Sequence, residues 1–321
     1  MGNDYKALVL LAIGLAIFPW VVANPYYISV LVFVGIHALL AMGLTLLLGF
    51  AGQLSLCQAA FFGIGAYTSG VLTARFGINP WLAMGMAMGF TGGVSVLLGT
   101  PALKLRGHYL AMATLGFGEI VNIVLKEWVD LTGGPSGLTG IPRLVLAGTK
   151  FDTEVKYYFL VWPIVLAVMI FLLHLVRSRV GRALQALNRS EQAAEVMGIP
   201  VSAYKIKTFL LSAVLSSLAG SLYAHFITVI SPESYSIVFS LMILVMVIVG
   251  GMGSFWGSLI GAFVMTILPE YLRMFEDWDI IIYGMILLFI LMFMPKGLVF
   301  VIQSPLKKTL KRLGAISLFG R

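Results

Sequence analysis

The chain has 321 residues, of which 60% are hydrophobic and 11% charged, with a net charge of +8 at neutral pH and a mean hydropathy of +1.00. About a quarter of the residues of a soluble globular domain are charged, so this composition excludes one. Residues 7–74 contain no Asp, Glu, Lys or Arg, and a helix needs roughly 20 apolar residues to cross the bilayer core, so that run alone must hold several spans.

Charge-poor stretches bounded by polar or Gly/Pro breaks predict about ten transmembrane helices, at 7–23, 28–48, 54–74, 81–100, 107–127, 157–176, 207–228, 235–250, 254–272 and 280–298. The expected fold class is therefore all-α: a polytopic helical integral membrane protein, with residues 1–321 as a single transmembrane domain. The first stretch has the length of a signal peptide, but no small-residue cleavage site follows it, so it is expected to be a retained helix. The single cysteine, Cys57, lies in an apolar region. It excludes an intrachain disulfide and a cysteine metal cluster, and reads as a small buried filler.

Two places in the chain look alike. Gly49-Phe50-Ala51-Gly52-Gln53-Leu54-Ser55 opens the third predicted span and Gly250-Gly251-Met252-Gly253-Ser254 opens the ninth. Glycine-broken helices at matching positions of two halves are a sequence pointer to a transport path. Small residues one turn apart at Gly85, Gly89 and Gly93, at Ser212, Ser216 and Gly220, and at Gly257 and Gly261 predict close helix–helix approach. On the outer side, residues 132–142 (TGGPSGLTGIP) are too glycine-rich for a helix and too patterned for a linker, which suits a docking surface.

The longest polar interruption is 177–206. It holds Arg177, Arg179, Arg182 and Arg189, with Lys205 and Lys207 at its end. Within it a two-turn helix is predicted over 191–197, capped by Asn188 or Ser190 and stopped by Gly198 and Pro200. Glu191 and Glu195 share one face, and the alanines between them leave a smooth surface for a partner. The plainer reading is an ordinary arginine-rich cytoplasmic loop. Threading ten spans from an inside N-terminus places fifteen Lys/Arg in the cytoplasm and six outside, the bias that orients membrane proteins. The acids Glu270, Glu276, Asp277 and Asp279 then fall outside. Both termini are thus expected in the cytoplasm, and the basic excess is topological. Residues 299–321, with Lys307, Lys308, Lys311 and Arg312, form a tail suited to the anionic lipid surface. No nucleic-acid partner is needed.

Ionisable groups inside the spans are scarce. Glu119 is the one acid well within a predicted span and His37 the one embedded histidine. A carboxylate there is costly and either lines a cavity or pairs with a neighbour. Both readings stand for Glu119, with Lys126 or His37 as the pairing candidates, while helix–helix bonding is favoured for His37. No HExxH, GxSxG, metal-ligand set or Walker A loop is present, so an enzyme has little to work with. What is left is the anatomy of a translocator driven by another protein.

Three stretches resemble the permease subunits of bacterial ABC importers for branched-chain amino acids, and among them the M-type (LivM-like) subunit. Residues 105–111 (LRGHYLA) with 114–119 (TLGFGE) are similar to the M-type fifth-helix signature, residues 132–142 to its outer loop, and residues 191–199 (EQAAEVMGI) to the EAA-type coupling loop, here with a Gln before the Ala pair. The family glycine break from Gly49 to Tyr67 also fits, so the resemblance runs over about residues 45–262.

The resemblance implies an inner-membrane complex with a second, H-type permease, two ATP-binding cassette subunits and an extracytoplasmic solute-binding protein. ATP would be used by the partner subunits, and this chain would bind no cofactor. Glu191, Ala193, Ala194, Glu195 and Gly198 would couple it to an ATPase subunit. Gln53, Ser55, Tyr109, Thr114 and Glu119 are the candidates for the translocation path. Gly133, Gly134, Pro135 and Gly137 would form the loop that receives the binding protein. Importers of urea and short amides have similar permeases and remain an alternative, as does an ion-coupled secondary transporter.

Overall fold

In a computed structural model, the described residues are 2–21, 24–105, 107–146, 149–272, 279–294 and 297–300. Arg106, Arg273, Glu276, Asp277, Lys296 and the basic residues expected in the tail lie outside them. Each of the ten predicted spans coincides with a helix: α1 (Gly2–Val21), α2 (Pro25–Thr45), α3 (Gln58–Ala74), α4 (Pro80–Ala102), α5 (His108–Glu127), α7 (Glu154–Arg177), α10 (Val201–Ile227), α11 (Ile237–Gly250), α12 (Phe255–Leu272) and α13 (Asp279–Phe293). Six, at Pro25–Phe50, α4, α5, α7, α10 and α12, are long and apolar enough to cross a membrane by themselves. Shorter pieces complete the described chain: α6 (Val129–Thr132), a two-strand ribbon of β1 (Val145–Leu146) and β2 (Thr149–Lys150), α8 (Arg179–Arg189) and α9 (Glu191–Val196).

The helix starts follow local chemistry. Asn24 accepts a bond from the Tyr26 N–H and Asn79 from the Trp81 N–H, each at 3.0 Å and each followed by proline at the first helical position. α2 is apolar all round and is buried on nearly every side, as such a helix must be. It packs against α7, α10, α11 and α12, while α10 packs on α3 and α4. His37 bonds Thr266 through Nδ1 at 2.8 Å, joining α2 to α12.

Two of the three small-residue series are close interfaces. A Cβ at Gly220 would lie 2.0 Å from the Phe62 carbonyl oxygen, and one at Gly261 would lie 1.9 Å from that of Met246. Gly85, Gly89 and Gly93 differ from the expectation, because a Cβ at any of them would meet nothing within 4 Å. That face of α4 points outward.

Two boundaries also differ. α3 begins at Gln58, four residues after the predicted start, because α2 runs into a π-helical turn (Leu46–Phe50) and Gly52 then adopts a φ of +66°. The region 177–206 is not a loop with one small helix. It contains α8, then α9, and α10 has already begun at Val201. Gly181, Leu184 and Leu187 give α8 a buried face among its arginines, a pattern that the charge count conceals.

Candidate coupling and translocation site

α9 is six residues long, too short to be stable alone, and its anchors are explicit. The Ser190 hydroxyl accepts from the Ala193 N–H at 3.2 Å and so provides the cap, not Asn188. At the other end the Ile199 N–H bonds the Ala194 carbonyl and the Gly198 N–H bonds the Glu195 carbonyl. With Gly198 at φ +79°, this is a Schellman stop. Ala194 is buried with Leu187 of α8 and Val201 of α10. Lys205, whose side chain is 6% exposed, holds the Glu191 carboxylate at 2.5 Å.

These anchors revise the expected partner-facing surface. Ala194 faces inward and Glu191 is engaged within the chain, so neither presents the smooth acidic–alanine face anticipated above. Ala193, Glu195 and Gly198 do face outward. Beside them stand two apolar side chains missed from the sequence, Val196 at 89% and Met197 at 78% exposure. Their signal was present, since both fall on the outward side of a helix stopped at Gly198.

Beneath α8 lies the first glycine break. Normal helical bonding ends there: the Gln53 N–H reaches back to the Leu47 carbonyl at 3.0 Å, and the Gly49 carbonyl accepts from Asn188 Nδ2 of α8 at 2.9 Å. A Cβ at Gly49 would lie 1.6 Å from the Met252 carbonyl oxygen, so the two glycine breaks that look alike in sequence also meet in space. Residues 52–57 are unwound. Backbone of that kind is tolerated at membrane depth only where protein or a water-filled cavity surrounds it.

Here it lies against α5: the Leu56 N–H donates to Thr114 Oγ1 at 3.0 Å, and Gly118 leaves room for the Leu56 carbonyl. Ser55 Oγ is 3.2 Å from Cys57 Sγ. Gln53 is buried with neither amide atom in a hydrogen bond to protein. Gln58, at the start of α3, is fixed by Ser212 and Ser216 of α10 at 2.9 and 2.5 Å.

The five path candidates therefore divide. Gln53, Ser55 and Thr114 cluster inside the subunit, where Thr114 supports the unwound segment. Tyr109, 72% exposed, and Glu119 lie on the outward face of α5. Among the described residues Glu119 forms no bond or ion pair with His37 or Lys126: it is exposed on this chain, and His37 is bonded to Thr266 through Nδ1.

On the opposite side, the glycines of the outer loop serve its own fold. Gly133, Gly134 and Gly137 all have positive φ, and a Cβ at Gly137 would lie 2.1 Å from the Ile230 carbonyl oxygen. Leu138 and Ile230 form an antiparallel bridge, and the Ile141 N–H bonds the Thr228 carbonyl. Of the four residues expected to receive a partner, Pro135 is the exposed one, with Ser136 next to it. His225, buried inside α10 and so a second embedded histidine beside His37, secures the far end: Nδ1 donates to the Pro142 carbonyl at 2.7 Å, so Nε2 accepts from the Ser69 hydroxyl at 2.8 Å. Among the described residues no group of three or more His, Cys, Asp or Glu could hold a metal ion.

Residues 26–293 match the family described as branched-chain amino acid transport system / permease component. The chain is 32% identical over 295 residues to the high-affinity branched-chain amino acid transport system permease protein LivM of Salmonella typhimurium strain LT2 and to that of Escherichia coli K12, covering 85% of this chain and 69% of each relative. It is 24% identical to LivH of Salmonella typhimurium LT2, over 82% of this chain and 90% of the relative. No solved structure matches it.

Proposed function

The chain belongs to the branched-chain amino acid transport system / permease component family, and from that premise we propose that it is the M-type permease of an ATP-driven importer of leucine, isoleucine and valine. It is a multi-pass membrane transport subunit, not an enzyme. The M-type reading is supported by the higher identity to LivM than to LivH. The relatives' names carry branched-chain amino acids and not urea or amides, which favours the former as solute. The proposed partners are an H-type permease, two ATP-binding cassette subunits that use the ATP, and an extracytoplasmic binding protein that delivers the solute.

In this reading α8 and α9 face the cytoplasm, as do both termini, and the 132–142 loop faces out toward the binding protein, as the fifteen-to-six distribution of Lys and Arg favours. α9 seats in a groove of an ATPase subunit. The observation that carries this is the exposure of Val196 and Met197 on a helix otherwise pinned at both ends. Two bare apolar side chains in a polar loop are worth little to a lone chain, but buried anchors dominate interface energies. Closure of the ATPase pair then displaces α9 as a rigid peg.

Glu119 carries the path assignment. A carboxylate facing hydrocarbon in the middle of a span is costly, so the exposed face of α5 must be covered by the second permease or line the solute route. A single carboxylate on an otherwise apolar wall suits brief contact with the ammonium group of an amino acid, without a site tight enough to retain it.

Met197→Asp and Gly198→Asp test the docking. Met197 is mostly exposed, so Met197→Asp should insert and fold normally; Gly198 has open space at its Cβ but a φ of +79°, so Gly198→Asp also strains the stop of α9 and is read beside Met197→Asp. Loss of an apolar anchor of about 2 kcal/mol corresponds to roughly thirtyfold weaker seating, and leucine uptake should fall accordingly. Normal uptake by both variants would remove α9 from the coupling interface.

A further inference from the structure

We propose that Asn188 is a positioning residue that carries displacement of the coupling helices into the unwound segment beside the solute path. The inference rests on the reading that α9 docks on an ATPase subunit. Its basis is a run of contacts, each with a physical reason to be there.

The first link makes one body of the cytoplasmic helices. Leu187 of α8, Ala194 of α9 and Val201 of α10 share a small apolar core, and Glu191 is bonded to Lys205. A push on Val196 and Met197 therefore moves α8 and not α9 alone. Gly181 lets the start of α8 turn tightly on α7, where a Cβ would lie 1.9 Å from the Val176 carbonyl oxygen.

The second link is Asn188. The end of a helix leaves carbonyls without partners, and the Gly49 carbonyl is taken up by the Asn188 carboxamide at 2.9 Å. The fit over the break is close: a Cβ at Gly52 would lie 2.6 Å from Asn188 Oδ1 and 3.3 Å from Asn188 Cα. π-helical turns of this kind occur often at functional sites. This one is held by a side chain of the coupling body and lies directly against the Met252 carbonyl.

The third link leads to the path. From Gly52 the chain runs unwound to Cys57, and the Leu56 N–H bonds Thr114 on the inner face of α5. Glu119 and Tyr109 stand on the outer face of that same helix. A tilt of α8 thus reaches α5 through backbone that is neither helix nor sheet and can absorb a change in φ and ψ. In the sequence Asn188 stands where a cap for α9 is expected, a task that Ser190 performs instead.

The experiment uses the complete transporter, with its partner permease, ATPase subunits and binding protein, in proteoliposomes. Asn188→Ala removes the bond, and Asn188→Asp keeps the shape but replaces the donor with an acceptor facing the Gly49 carbonyl. Both are exposed surface changes, so thermal stability of the complex should hold. The readout is ATP hydrolysed per leucine transported, which a merely structural role would leave unchanged. We expect that ratio to rise about tenfold in both variants, within the usual range of coupling between sites, while the hydrolysis rate stays within about twofold. A ratio equal to that of the unmodified transporter, whether or not both rates fall, would overturn the inference. Met197→Asp run in parallel separates the two readings: if it fails to uncouple, the docking of α9 is wrong, whereas if it uncouples and the Asn188 variants do not, only the role of Asn188 is.

Discussion

Glu191→Ala should destabilise α9 far more than Lys205→Met does, although the two residues form one ion pair. The asymmetry comes from burial: the lysine side chain is 6% exposed and the glutamate side chain 26%, with the charged atoms 2.5 Å apart. Removing the acid strands a buried cation, and breaking a buried pair from one side costs about 3–5 kcal/mol. The flexible lysine stem can bring its head partly back to water, which lowers the expected cost to about 2 kcal/mol. A six-residue helix has no stability of its own to absorb that loss, so the whole amount falls on the packing of α9 against α8 and α10. At about 1.4 kcal/mol per tenfold, the undocked population rises roughly thirtyfold.

Lys205→Met removes the buried charge and leaves a carboxylate whose side chain is already 26% exposed, for under about 1 kcal/mol. Hydrogen exchange of the amides in 190–199, followed by mass spectrometry in detergent, reads this directly. Exchange should speed up about thirtyfold in Glu191→Ala, less than about fivefold in Lys205→Met, and in the double variant close to the latter. Equal acceleration in the two single variants, or none in Glu191→Ala, would refute the placement of the pair.

Gly49→Ala should prevent a stable fold, because its Cβ would sit 1.6 Å from the Met252 carbonyl, whereas Gly89→Ala, with open space at its Cβ, should raise the melting temperature of the isolated chain through helix propensity worth up to about 1 kcal/mol. Glu119→Gln should preserve insertion and ATP hydrolysis in the complex and lower leucine uptake; unchanged uptake would detach α5 from the path. His225→Phe leaves the Ser69 hydroxyl and the Pro142 carbonyl without their partner, at about 1–3 kcal/mol for buried groups, and limited proteolysis should then cut the 132–142 loop faster.

The helical architecture was open to reading from the sequence because hydrocarbon imposes one dominant pattern: long charge-free stretches, each with a helix at its centre. What failed was wherever that pattern is silent. α8 was missed because its arginines mask a buried face of Gly181, Leu184 and Leu187. The start of α3 was set four residues early, because the backbone at Gly52 turns left-handed without any change in hydropathy. Gly85, Gly89 and Gly93 have the spacing of an interface but face outward, since small-residue spacing reports what a helix face allows and not what lies against it.

The site was half legible. The stop at Gly198 and the outward positions of Ala193 and Glu195 followed from local chemistry, whereas the inward turn of Ala194 and the engagement of Glu191 depend on Val201 and Lys205, which are close only in the folded chain. Similarity of the two glycine breaks hinted at a relation, and their contact through Gly49 and Met252 is a tertiary fact that no local pattern holds.

If ATP on partner subunits drives solute movement through this chain, leucine uptake must depend on it. Leucine uptake into proteoliposomes containing the complete transporter, with ATP inside and outside composition controlled, measures it. Uptake is expected to need both ATP and the binding protein and to continue after ionophores collapse every ion gradient. Uptake that runs on an imposed ion gradient without ATP, and stops when the gradient is removed, would contradict it.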